Sequence, residues 1–232
     1  MKAVGALKSL RSSMIAILSL ACASGLVVVS SEAMANANEP AQTRNDLRDL
    51  RVGMAVAELP SKGYVELDCA DDPAKKLAAW SDYGHCGTDK AGRYEINFQF
   101  DESTNVLGPL DDKYTGTRVG GHPVILTLFI GADQRVAGLD IKTDPHARLN
   151  LRKRAFLLAA QAKNYYGAEG WICERHEPSA DEAPIGAEFI KERCEKTLSQ
   201  RKVIVERQLY RPINAAIKDF VSTSQITVLS AN

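Results

Sequence analysis

The chain has 232 residues, with 29 basic and 29 acidic side chains, so its formal net charge at neutral pH is zero. That balance excludes the basic excess that drives non-specific nucleic-acid binding, and the acidic excess of a disordered, cation-buffering chain. With 45% hydrophobic residues, the length is enough for one sizeable core, usually a single domain.

Residues 1–35 read as a secretory signal. Lys2, Lys8 and Arg11 form a positive start, Met14–Val29 carries no charge, and Ala33-Met34-Ala35 places small residues where a signal peptidase reads them. Ala35-Asn36-Ala37 is an alternative, so cleavage is expected near Ala35 or Ala37. The apolar run is shorter than the roughly 20 residues that span a bilayer. Ser19-Leu20-Ala21, ahead of Cys22, has its Leu misplaced for a lipobox. The expected mature protein carries a charge near −2, has no transmembrane anchor, and works in the periplasm of a Gram-negative-type cell.

Residues 36–45 read as a polar linker, 46–220 as one domain and 221–232 as a C-terminal tail. "DLRDLRVGMAVAELPSKGY" predicts a short helical stretch closed by Pro60 and Gly63. Within it, Leu50-Arg51-Val52-Gly53-Met54 with Glu58 resembles the helix-opening motif of small envelope proteins of the SmpA/BamE type. The resemblance covers ten residues and implies an α+β envelope domain, with no function attached.

"YVELDC" alternates and predicts a strand with Val65, Leu67 and Cys69 inward. Pro73 in "DDPAKKLAAW" predicts a short helix or turn. Tyr94, Ile96, Phe98 and Phe100 alternate with polar residues in a clear strand. Residues 101–121 read as loop. "HPVILTLFI" is apolar on both faces and predicts a central strand, turned by "GADQ" into "RVAGLDIK". Asp144 as cap, Pro145 at the first position and Gly167 after the last turn then bracket one long helix.

Strands are expected from Trp171 and from Ala187, the latter pairing with "KVIVERQLYR" across "TLSQ". A short closing helix is expected at "INAAIKDF". Charges at both parities of "EFIKERCEKT" and "KVIVERQLYR", among them Glu192, Arg193 and Glu206, predict a ribbon projecting at a sheet edge. The class is α+β: a mainly antiparallel sheet with one long helix, short flanking helices and two disulfides.

Four cysteines follow the leader, Cys69, Cys86, Cys173 and Cys194. An even count in an exported chain reads as staples, and the local pairs Cys69–Cys86 and Cys173–Cys194 each flank a turn. No C-x-x-C or H-x(3–5)-H spacing exists for zinc, haem or dithiol redox chemistry.

His85, His122, His146 and His176 sit in no nucleophile-elbow context, so no catalytic residue, cofactor site or metal site is assigned. Asp101, Ser103, Asn105 and Asp112 are spaced like calcium-loop positions, but Val106 replaces the required glycine, and a solvated acidic loop is the expectation. Two groups are candidates for a recognition surface: Trp80, Tyr83 and His85 in the first stapled loop, and Arg148 with Arg152 at the start of the helix. The expected function is a non-catalytic accessory or binding protein that recognises an envelope protein or a small ligand. The alternatives are a periplasmic hydrolase with a dispersed active site and a metal-binding envelope protein.

Overall fold

The computed structural model describes residues 44–102, 116–216 and 218–231. The leader, most of the linker, and Ser103, Asn105 and Asp112 lie outside them. The described chain is mostly antiparallel sheet with one bent helix of 17 residues, which makes α+β a loose description.

The first meander contains β1 (Tyr64–Cys69), β2 (Asp72–Lys76), β3 (Tyr94–Phe100), β4 (Thr117–Val119), β5 (His122–Ile130) and β6 (Val136–Thr143). The helical segment follows as α1 (Leu149–Arg152), a 3-10 turn (Ala155–Leu157) and α2 (Leu158–Tyr165). The second meander contains β7 (Ile172–Arg175), β8 (Glu182–Ala183), β9 (Ile190–Leu198), β10 (Arg201–Pro212) and β11 (Val221–Ser230). The sheet runs β2-β1-β3-β5-β6-β11-β10-β9-β7, with β4 beside β5 and β8 beside β10. Antiparallel pairing of β6 with β11 therefore joins the two meanders. Gly120 and Gly121, both at positive φ, make the two-residue turn from β4 to β5, where a side chain would be strained.

The register explains the core. Ile96, Leu128, Leu139, Val228 and Val203 form one cross-strand row, and Phe98, Leu126, Ile141, Ile226, Val205 and Cys194 form the next. All are buried, and the helix covers this face over β10 and β11. The other face is more polar. There Thr127 donates to Asn97, Asn97 donates to the buried Asp68, and Thr227 and Gln225 donate to the buried Asp140.

Several expectations are corrected. The helix expected before Pro60 is a three-residue 3-10 turn, Val56–Glu58. Its neighbours spend their backbone groups on the β5–β6 turn instead: Gly53 and Val56 donate to Val136 and Gln134, and Met54 accepts from Val136. Residues 72–76 are an edge strand rather than a helix, a position where Pro73 is tolerated. An irregularity in β1, with Glu66 at positive φ, turns Val65 outward while Cys69 stays buried.

The helix begins at Leu149, later than Asp144, because Asp144 accepts the His146 N–H in a local turn. It bends where the Ser224 hydroxyl enters the backbone ladder, accepting from the Ala159 N–H and donating to the Ala155 carbonyl. The described residues of "INAAIKDF" form turns, not a closing helix. Residues 221–230 are not a tail; they are β11, at the centre of the sheet. The charged ribbon does not project either. β9 and β10 each have neighbours on both sides, Glu192 is buried and ion-paired, and Arg193 pairs with Glu195 and Glu206. Both expected cysteine pairs are at disulfide distance.

Candidate functional site

Residues 44–50 form a strap across the helix-covered face. Asp46, wholly buried, pairs with the nearly buried Arg201 at 3.2 Å and accepts the Val52 N–H at 2.8 Å. Burial raises the Asp46 carboxyl above its usual range, against the opposing pull of the Val52 N–H and Arg201. Arg201 also donates to the Arg44 carbonyl, Tyr165 donates to the Asn45 carbonyl, and the Arg44 guanidinium lies 3.9 Å over the Tyr165 ring. The strap is thus fixed at both the sheet and the helix.

Beneath it is a cavity of about 240 Å³. Ile141 and Ile226 come from the sheet, Leu158 and Ala162 from the helix, and Leu47 from the strap. Its polar lining includes Arg48, Gln161, Tyr165 and Tyr166. Arg48 stacks 3.5 Å over Phe100 and pairs with Glu102 at 2.6 Å, while Gln161 donates to the Gly120 carbonyl. Burial, with Asp46 beside it, pushes the Tyr166 phenol far up, so it remains a neutral group. Apolar walls with a few placed polar groups are the usual make-up of a small-molecule site, though this cavity is below the roughly 300 Å³ where such sites commonly begin.

On the same sheet face, β9 and β10 carry a second polar cluster. Glu192, 4% exposed at its side chain, receives Lys163 at 2.8 Å, Arg175 at 3.0 Å and Arg207 at 3.0 Å. Burial pushes its carboxyl up, but the three cations overcome that and hold it down at about 2. The Lys163 ammonium also donates to Cys194 Sγ at 2.8 Å and lies 3.6 Å from Cys173 Sγ. Lys196, on the same face, caps the end of the helical segment through the carbonyls of Tyr166, Gly167 and Glu169.

The residues proposed for recognition sit in different surroundings. Trp80 is buried, donating to the Pro60 carbonyl and packing edge-on against Tyr64 and Phe98, so it caps the first meander's core. Tyr83 is half-buried against Tyr94, and His85 is exposed. Arg148 is exposed just before α1, and Arg152 lies 5.7 Å from the Phe220 ring, beside the second meander.

Among the histidines, His122 is buried, and desolvation with the Arg154 charge lowers its pKa. His176 lies 3.8 Å from Glu174. Cys69, Asp71 and Cys86, and Cys173, Glu192 and Cys194, gather metal-type ligand atoms within 4.8 Å, but their sulfurs are joined in disulfides and offer no thiolate. Sequence reasoning missed the cavity and the Glu192 cluster. The one legible sign was the Tyr165-Tyr166 pair closing the helix.

No helix among the described residues is long and apolar enough to cross a membrane. Compared with known proteins, the chain matches no family model, no curated protein and no solved structure.

Proposed function

We propose that the chain is an exported, non-catalytic binding protein of the periplasm whose ligand is a small, largely apolar molecule held beneath the strap. The observation that carries this reading is the cavity between Leu47, the helix and the Ile141–Ile226 floor, with Arg48 and Gln161 supplying polar contacts. The leader-like start and the two disulfides support an oxidising compartment.

A p-cresol titration followed by amide shifts probes an apolar body with one hydroxyl. The reading expects perturbations along residues 158–166 and β11, lost in Ala162→Phe, which fills the cavity. Identical titrations of the two proteins, or perturbations confined to other strands, overturn it. For the compartment, the protein from a periplasmic fraction is expected to begin at Asn36 or Asn38.

A further inference from the structure

The two disulfides sit in opposite surroundings. Cys69 and Cys86 are both buried. Cys194 is fully buried, but its partner Cys173 is exposed on β7, the edge strand of the sheet. The bridge joins directly paired residues of β7 and β9, so both side chains leave the sheet on the helix face, Cys173 at its exposed edge and Cys194 in its interior. Lys163 lies 2.8 Å from Cys194 Sγ and 3.6 Å from Cys173 Sγ, so it is closer to the buried sulfur.

The charges facing the bridge are Lys163, Arg175 and Arg207 against the single carboxylate of Glu192, with Lys196 occupied by the helix-end carbonyls. The local balance favours a negative sulfur. A leaving thiol departs faster when its thiolate is stabilised, and attack requires an accessible sulfur. This bridge has both properties. Cys173 is exposed at the sheet edge, where an attacking thiolate can approach, and the Cys194 sulfur lies beside an ammonium.

We propose that Cys173–Cys194 is a thiol–disulfide exchange site, opened at Cys173 by an external dithiol. The attacking thiolate forms a mixed disulfide with Cys173 Sγ. The old S–S bond breaks, and its electron pair leaves on Cys194 Sγ as a thiolate paired with Lys163. The dithiol's second thiolate then displaces Cys173, which takes a proton from water. The dithiol is oxidised to its disulfide, and the protein gains two electrons. β7 is left held to β9 by backbone pairing.

The experiment treats the native full chain with dithiothreitol, quenches by alkylation, and maps peptides over time. Cys173–Cys194 is expected to open at least tenfold faster than Cys69–Cys86. Lys163→Met is expected to slow that opening about tenfold, and Lys163→Arg to restore most of it. A Lys163→Met rate within twofold of wild type, or earlier opening of Cys69–Cys86, overturns the proposal. Thiolate absorbance of the singly reduced wild-type protein gives a second reading that needs no variant. Cys194 is expected to titrate below the ordinary thiol value of about 8.5; titration at or above it also overturns the proposal.

Discussion

Glu192 shows how one buried carboxylate can organise a sheet face. Removing a charge from water is costly, and here Lys163, Arg175 and Arg207 offset that cost together. Glu192→Gln leaves three cations around a neutral amide, and we expect a loss of about 3 kcal/mol in denaturant unfolding at neutral pH, the low end for breaking a buried pair. The folded-state carboxyl, at about 2, lies below its ordinary 4.5. Its stabilisation is therefore complete above pH 4.5 and is lost as pH falls toward 2, and the variant should lack this dependence.

Asp140 has the opposite sign. Burial raises its carboxyl despite donation from Thr227 and Gln225, so its contribution is present below the ordinary 3.8 and is lost as pH rises through the folded value. Asp140→Asn should be more stable than wild type at pH 7 in denaturant unfolding, with the gap closing on acidification. None of this was legible from the sequence. Charge at both strand parities suggested an exposed ribbon, because parity alone does not show that a helix brings Lys163 over the strand.

The bent helix shows why an element's face is easier to read than its path. Leu151, Ala155, Leu158 and Ala162 lie at helical spacing and mark one face, and Gly167 does follow the last turn. The bend comes from Ser224, distant in sequence, whose hydroxyl bridges Ala155 and Ala159. Ser224→Ala removes both contacts inside the core and leaves the Ala155 carbonyl and the Ala159 N–H without their partner. We expect a loss of about 2 kcal/mol and faster amide exchange at Ala159, since buried groups left without partners cost about 1–3 kcal/mol. If exchange at Ala159 is unchanged, the serine does not hold the bend. Residues 53–56 failed as a helix for a related reason: the backbone groups of Gly53, Met54 and Val56 have better partners on the β5–β6 turn.

At the scale of the molecule, the two meanders become one sheet, among the described residues, where β6 meets β11. Gly138 permits that contact, because a Cβ there would lie 2.6 Å from the Val228 carbonyl oxygen and would also press Leu229 and Phe129. Gly138→Ala should lower the unfolding midpoint, by about 2 kcal/mol of stability, as overpacked sites do. A chain ending at Phe220 lacks Ile226 and Val228 and leaves β6 and β10 without a shared neighbour. It is expected to show no cooperative unfolding transition by calorimetry; a sharp transition would mean that the first meander stands alone. The strand was read as a tail because Ser222 and Ser224 occupy inward positions, which interrupts the apolar alternation that marks a buried strand.

The central position of β11 also sets an order in time. A chain delivered N-terminus first presents β1–β6 while the partner of β6 has yet to be made. Until Val221–Ser230 arrives, β6 remains a hydrogen-bonding edge with Leu139 and Ile141 uncovered. That delay leaves a sticky intermediate for as long as synthesis takes, at rates on the order of 5–20 residues per second. Slowing delivery of residues 144–220 should therefore increase aggregation more than slowing delivery of anything after Ser230.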